Sequence, residues 1–396
     1  MTQDFENMLY LFGAGARGLE IKLNEEPNIE SIRKLAIEQG IWTVIFPELD
    51  KICDTSKYQG EFFGSVSSGI RRKEFSLDII NKLETAGIKC CLLKGAAVSG
   101  LYADPERRIS SDTDILINPD NEEKLRQILI ENGYTAEIRS KNDHHLKAYH
   151  KHGGLLEAHI MLHSKTTSQI LLDGLEIYNE PWDKININGR EFYTLGINDG
   201  LTYLTAHYIK HLINSGGGVR QMMDLLLYIE KNKNQIDFDR YNLLLEKLRY
   251  NKLIDVVKSI GAKYFGFDYK IEHEDLMNKI LTDTEEGGIF GFSSDNRQNF
   301  YKKYCDNRTS MSKYRYEIFF SLNGEQSFIH KLFPKSEKLI SAYGYRYAEN
   351  KLLLPVAWAN RYIDIIRRRK CNREKTQNNT EFQARMDLMK ELGMID

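Results

Sequence analysis

Apolar residues recur at helical spacing over both ends of the chain, and the rhythm changes in one central stretch. Ser31 to Gln39 places Ile32, Leu35 and Ala36 on one helical face, with Ser31 at the cap position and Gly40 at the stop. Trp42 to Leu49 is a second apolar patch around Pro47, and Ser65 to Gly69 reads as a small Ser/Gly-rich junction. Glu74 to Ala86 carries the stripe Phe75, Ile79, Ile80 and Leu83, and Gly87 sits where a helix C-terminus favours it. The period then shortens. Ile88 to Leu93, bounded by Gly87 and Gly95, predicts a buried strand; Ala96 to Tyr102 has helix-forming composition; Ile115 to Ile117 ends a second strand. A helix is predicted from Asp120, as cap, to Gly133, burying Leu125, Ile128 and Leu129. Two hairpins follow, one turning at Gly153-Gly154 between His145 to His152 and Leu155 to Leu162, the other at Asn188-Gly189 within Ile185 to Leu195.

From Asp199 the pattern is helical again. Leu201 to Ile213 and Val219 to Glu230 flank a Ser215 to Gly218 linker, and the second buries Met222, Leu225, Leu226 and Ile229. Further helices are expected through Tyr241 to Ile260 and Asp275 to Leu281, then a surface loop over Glu285 to Asn299. Strand, helix, strand, helix in the centre predicts an α/β unit between helical flanks. The expected fold class is α+β, divided into a helical N-terminal region without chemistry of its own (1–72), a catalytic domain (73–198) and a helical C-terminal domain (199–396).

Composition narrows the class. A chain of 396 residues exceeds one ordinary core. Hydrophobic content of 41% with 28% charged residues is that of a globular protein. A net charge of −1 provides no basic field for long nucleic acid. The five cysteines, Cys53, Cys90, Cys91, Cys305 and Cys371, show no metal spacing, and an odd count fits a reducing cytoplasm. No signal peptide is expected from the first residues, and no uncharged apolar run approaches the ~20 residues of a membrane helix.

The chemistry is concentrated between Lys94 and Ile117. A strand entering a helix through Lys94-Gly95 gathers backbone N–H donors and one cation at a point, which suits a phosphate. Side chains alternate along a strand, so Asp112 and Asp114 face the same way. Their mutual repulsion is relieved by a cation, and hard oxygen ligands beside a phosphate site specify Mg²⁺. Glu157 shares a strand face with Leu155, His159, Met161 and His163, opposite Leu156, Ala158, Ile160 and Leu162. A carboxylate there needs a partner. Two remain open: a metal shared with Asp112 and Asp114, or an ion pair with Lys94, Arg107 or a histidine. Lys94 either neutralises the acids or contacts a nucleotide phosphate, and both can hold. Arg108 and Ser110 either bind phosphate oxygens or brace the turn. His159 either orients Glu157 or touches an acceptor.

Other features read as structural. Eight of the ten histidines fall between His144 and His211. His207 to His211 lacks the glutamate of the zinc protease motif, and His144-His145 and His150-x-His152 lack cysteine partners, so a cleft rim or a domain boundary is expected for them. Gly216-Gly217-Gly218 is a helix–helix turn in preference to a phosphate cradle, and Arg220 and Asp224, one helical turn apart, fit a surface pair. The basic cluster Arg367, Arg368, Arg369, Lys370, Arg373 and Lys375 fits a solvated helix face better than membrane or RNA contact.

Lys-Gly, a short helix, then Arg108-x-Ser110-x-Asp112-x-Asp114 and an apolar strand resembles the DNA polymerase β-like nucleotidyltransferase superfamily, and more closely a bacterial family of uncharacterised nucleotidyltransferases. It is also similar to nucleotidyltransferases of abortive-infection and toxin–antitoxin systems. Ile88 to His163 carries most of the signal, weaker similarity extends over most of the chain, and Leu332 to Arg369 resembles the family's C-terminal tail. Ala96 stands where the superfamily has a second Gly or a Ser, and offers no hydroxyl. The resemblance implies a polymerase β-like core with a mixed sheet. It implies Mg²⁺ or Mn²⁺ held by Asp112, Asp114 and Glu157, the last in a Glu-x-His setting. Lys94, Gly95, Arg108 and Ser110 would meet a nucleoside triphosphate. Two ions ~3.5–4 Å apart would promote attack of an acceptor hydroxyl on the α-phosphorus, with loss of pyrophosphate. The expected activity is transfer of a nucleoside monophosphate to a small molecule, peptide or protein. The alternatives are a toxin-like enzyme modifying transfer RNA or a protein, and a non-catalytic nucleotide-binding protein.

Overall fold

The computed structural model describes residues 1–21, 23, 26–139, 144–162, 182–214, 217–287, 353–360 and 378–394. His163, Ser215, Gly216, Cys305, Cys371, the basic cluster from Arg367, most of the expected loop at Glu285 to Asn299 and most of Leu332 to Arg369 lie outside them.

Four helices lead in. α1 (Gln3–Arg17) is capped by Thr2, whose hydroxyl accepts from Phe5 N–H. α2 (Ile29–Glu38) starts earlier than the pattern suggests, because Asn28 and not Ser31 is its cap: the Asn28 carbonyl oxygen accepts from Ser31 N–H at 3.1 Å. The patch around Pro47 is a helix, α3 (Trp42–Asp50), held through the proline by burial of Trp42, Val44, Ile45, Phe46 and Leu49. The expected junction at Ser65 to Gly69 does not exist. It lies inside α4 (Gln59–Thr85), a single 27-residue helix that also contains the expected boundary between 72 and 73. The small residues there serve packing: a Cβ at Gly69 would come within 2.3 Å of Ile109 Cγ2, so glycine lets the helix touch the loop ahead of the acidic strand. Tertiary contact overrides the low helix propensity of Gly and Ser.

The central strands are β1 (Cys91–Leu92), β2 (Asp112–Leu116), β3 (Thr135–Ala136), β4 (His145–His150), β5 (Gly154–His159), β6 (Asp183–Ile187) and β7 (Arg190–Thr194). They form one mixed sheet in the order β3-β4-β5-β2-β1-β7-β6. β2 runs antiparallel to β1 and parallel to β5, and β1 is parallel to β7. Both predicted hairpins are present, as β4–β5 and β6–β7. The predicted strand at Ile88 to Leu93 narrows to two paired residues, and the helix after Gly95 to α5 (Ala96–Ser99). Asp120 does not cap the next helix. Asn118 accepts from Asp120 N–H and a 3₁₀ turn, Pro119–Asn121, leads into α6 (Glu122–Glu131).

The two faces of the sheet differ. Ile115, Ile117, Leu146, Ala148, Leu156 and Ala158 share a core with Leu77, Ile80 and Leu83 of α4 and Leu125 and Leu129 of α6. Period-2 alternation sends Asp112, Asp114 and Leu116 to the other face. There Leu116, Cys91, Leu93 and Leu195 pack with Tyr203 of α7 (Ile197–Asn214). Helices α8 (Val219–Asn232), α9 (Phe238–Leu248), α10 (Asn251–Tyr264) and α11 (Glu274–Gly287) continue the chain. α10 packs on α1 so closely that a Cβ at Gly13 would lie 2.6 Å from Phe265 Cα. Met1–Tyr301 with Leu388–Asp396 forms one compact unit. Lys302–Asp387 forms another, whose described residues, 353–360 and 378–387, are helical. Among the described residues no helix is long and apolar enough to cross a membrane.

Candidate active site

Strand register assembles the acids. β2 and β5 are parallel neighbours with Asp114 opposite Glu157 and Leu116 opposite His159, so Asp112, Asp114, Glu157 and His159 project from one face. One ligand atom each of Asp114, Glu157 and His159 lie within 4.8 Å of one another. Lys94 Nζ lies 3.2 Å from Asp114 Oδ2 and 3.5 Å from Asp112 Oδ2. Ser110 Oγ donates to Asp112 Oδ1 at 2.8 Å, and His159 Nε2 meets Asp114 Oδ1 at 3.0 Å. Glu157 Oε1 is 3.5 Å from Lys147 Nζ and 3.7 Å from His145 Nε2. Of the ion-pair partners expected for Glu157, histidines are beside it, His145 and, at 4.0 Å, His159, and Lys147, which was not expected, joins them.

Asp114 is 2% exposed. Burial alone would raise its pKa, but Lys94 and His159 outweigh burial and hold it well below the carboxylate range. Burial alone would lower the Lys94 pKa, but Asp114 and then Asp112 outweigh it and hold the ammonium well above its usual range. Asp114 Oδ2 is buried, with Lys94 Nζ at 3.2 Å. Asp114 with Glu157 and His159 within 4.8 Å offers a donor set that fits a divalent cation.

Gly95 holds φ +60° and ψ −105°, a combination open to glycine and strained for other residues. Ser110 Cβ would be 3.7 Å from an added Cβ, so space is not the obstacle. Gly95→Ala is expected to lose about 1–3 kcal/mol of stability through backbone strain, read as a lower urea midpoint.

A cavity of about 430 Å³ opens beside these groups. Lys94, Gly95, Ser110 and Asp112 line one side, and His207 and His211 of α7 and Arg220 and Asp224 of α8 another. The N-terminal region, expected to carry no chemistry, supplies Trp42, Thr43, Ser65 and Arg72 to the same wall. Arg220 and Asp224 are not a surface pair. Asp224 binds the buried Arg108 through two bonds, Nη2 to Oδ2 at 2.5 Å and Nε to Oδ1 at 3.2 Å, and accepts from Tyr102 Oη at 2.7 Å. Arg220 instead donates to the carbonyls of Ile109 at 3.2 Å and Gly40 at 3.4 Å, bracing the loop that delivers Ser110. Burial and then Arg108 lower its pKa. Arg108 therefore has Asp224 as its partner, while its Nη1 is buried without one.

α7 brings groups that the motif reading did not connect with the acids. Tyr203, His207, Lys210 and His211 recur at helical i, i+4, i+7 and i+8 spacing, and that polar stripe in an apolar helix was the available signal. The acids Asp114, Asp112 and Glu157, after burial, raise the Tyr203 pKa. Burial, then Lys94, lowers that of Lys210. Burial also pushes His145 and His211 down to about 4, helped first by His159 and Lys94 respectively. Both rings fold neutral and bind protons more readily when unfolded, at an ordinary pKa of 6.5. Stability from this source is complete above pH 6.5 and is lost as pH falls from there towards about 4. Thermal melts across that window are expected to show a falling Tm, and His145→Gln should flatten part of the fall.

The mixed sheet thus gathers Asp112 and Asp114 about Lys94 beside a cavity. The profile of a family described as uncharacterised nucleotidyltransferase matches residues 26–265, more than half of the sequence. The chain belongs to this family and is a nucleotidyltransferase, and membership implies a nucleoside triphosphate as substrate and a divalent metal ion. The match ends before Leu332 to Arg369, the expected family tail. No curated protein matches the sequence. Similar solved structures include the lincosamide antibiotic adenylyltransferase LnuA with lincomycin bound, at 18% identity over 40% of this chain and 94% of that one, with a TM-score of 0.29. Another is an antigenic nucleotidyltransferase-like protein from Paracoccidioides brasiliensis, at 18% identity over 49% of this chain and 93% of that one, with a TM-score of 0.30.

Proposed function

We propose that this enzyme transfers a nucleoside monophosphate from a nucleoside triphosphate to a hydroxyl on a small molecule, peptide or protein, at the cavity lined by Lys94 and Asp112, with Asp114 and Glu157 on the same sheet face. The approach of Asp114 to Glu157 through the register of β2 with β5, with Asp112 on the same face beside Lys94, carries this reading. Asp112, Asp114 and Glu157 would hold Mg²⁺ or Mn²⁺, which when bound supplies Lewis-acid polarisation of phosphoryl oxygens and a more acidic acceptor hydroxyl. The remaining tasks fall to the chain itself. Lys94 offsets the charge of two aspartates in the resting site, and its ammonium stays protonated to meet phosphate oxygens. Ser110 fixes Asp112 by donating to one oxygen and leaving the other towards Lys94. Arg108, tied to Asp224, adds positive charge at the cavity wall for a phosphate. The sheet region, 73–198, thus carries the reacting groups, and helices from both flanks close the cavity around the substrates. A volume of about 430 Å³ is in the range of small-molecule sites. With a net charge of −1, that favours a compact acceptor over long nucleic acid.

Purified protein incubated with each α-labelled nucleoside triphosphate, Mg²⁺ or Mn²⁺ and a cell extract tests the reading. Label on a small molecule or protein, with pyrophosphate released and the reaction stopped by chelation, is the expected result. Label on RNA would move the acceptor to the toxin-like class. Nucleotide binding indifferent to divalent ions, without label transfer, would leave only a binding protein.

A further inference from the structure

The local motifs around the histidines lack cysteine, yet the fold brings a third imidazole to His144 and His145 from the neighbouring strand. In the antiparallel β4–β5 pair His145 stands directly opposite His159, and His144 immediately precedes β4. One ring nitrogen of each of the three lies within 4.8 Å of the others. His144 Nε2 and His145 Nδ1 are already 3.1 Å apart. Two nitrogens bound tetrahedrally to one ion through ~2.0–2.1 Å bonds are separated by ~3.3 Å, so this spacing is close to that of a chelating pair.

The carboxylates behind these rings make the arrangement directional. His145 turns its other nitrogen, Nε2, towards Glu157 Oε1 at 3.7 Å. His159, 5% exposed, places Nε2 against Asp114 Oδ1 at 3.0 Å, and its Nδ1 is buried without a hydrogen-bond partner. An imidazole with one nitrogen on a carboxylate and the other available is the arrangement that orients histidine for a metal and raises its basicity as a ligand. A buried ring nitrogen without a partner also needs an explanation, and a coordinated ion is one.

We propose that His144, His145 and His159 form a nitrogen-ligated site for a first-row transition ion of the Zn²⁺ class, with Asp114 and Glu157 as the outer carboxylates. Imidazole selects Zn²⁺ and its neighbours over Mg²⁺, which keeps to oxygen. The site is thus distinct in preference from the three-carboxylate site, and His159 links the two through its bond to Asp114. Its ligands are the histidines, with Asp114 and Glu157 needed only to orient the rings, and it does not depend on the reaction proposed above.

The test is calorimetric titration of the full chain, without a histidine tag, with Zn²⁺, together with the visible absorption of the Co²⁺-loaded protein. The wild type is expected to bind one Zn²⁺ and to show ligand-field bands with Co²⁺. The double variant His144→Ala/His145→Ala should bind Zn²⁺ at least ~10-fold more weakly and lose the bands. His144→Ala alone, a change ahead of the strand, should weaken binding with the fold intact. Asp112→Asn should retain both signals, which separates a failure here from a failure of the proposed reaction. Unchanged Zn²⁺ affinity in the double variant, or no Zn²⁺ binding by the wild type, would overturn the proposal and leave a hydrogen-bonded histidine cluster.

Discussion

Asp112→Asn is expected to abolish nucleotidyl transfer while leaving the protein folded. The Asp112 side chain is 26% exposed, lies on the cavity wall and, among the described residues, is held by Ser110 and Lys94. Asparagine keeps the shape and an acceptor for the Ser110 hydroxyl, and it removes one of two mutually repelling charges. Stability should therefore change little, because Lys94 retains Asp114 at 3.2 Å. The loss falls on the charge that would hold the divalent ion. Lewis-acid stabilisation amounts to several kcal/mol, and each 1.36 kcal/mol is tenfold, so a loss of ~10³-fold or more is expected in turnover. Label transfer and a thermal melt on the same preparation check both halves. Wild-type turnover would remove the metal assignment.

The largest effect on stability is expected at Asp224, although it lies far from the acids in sequence. Asp224→Ala strips the buried Arg108 of its bonded carboxylate and Tyr102 of its acceptor. Burial lowers the Arg108 pKa, and Asp224 more than reverses this. Without it the buried Arg108 and the half-buried Arg220 face each other with only the more distant charge of Asp112 to offset them among the described residues. Removing one partner of a buried pair costs about 3–5 kcal/mol. Urea denaturation should show that shift, whereas Tyr102→Phe, which removes one hydrogen bond, should cost about 1 kcal/mol. An Asp224→Ala protein as stable as the wild type would mean that the pair contributes nothing to the fold.

Most of the central region was legible because two short-range signals agree there. Alternation along Asp112 to Leu116 and along Leu155 to His159 gave the faces, and glycines at 95, 133, 154 and 189 marked turns that all take positive φ. The helical flanks were legible in type and less so at their ends. Asn28 displaced Ser31 as a cap, and the Ser65 to Gly69 junction vanished into α4. There, glycine records close contact with Ile109, which composition reads as flexibility.

By itself the sequence determined the strand–turn–helix with Lys94-Gly95, the common face of Asp112 and Asp114, and the face of Glu157, because each follows from backbone periodicity within a few residues. Only the tertiary structure decided that β5 lies parallel beside β2 with Asp114 level with Glu157. It likewise decided that Asp224 reaches Arg108 across 116 positions and that His144 and His145 meet His159. These depend on the order of strands in the sheet and on how α8 approaches the loop at Arg108. Both are set by packing between segments far apart in the chain, where local pattern carries no information about distance.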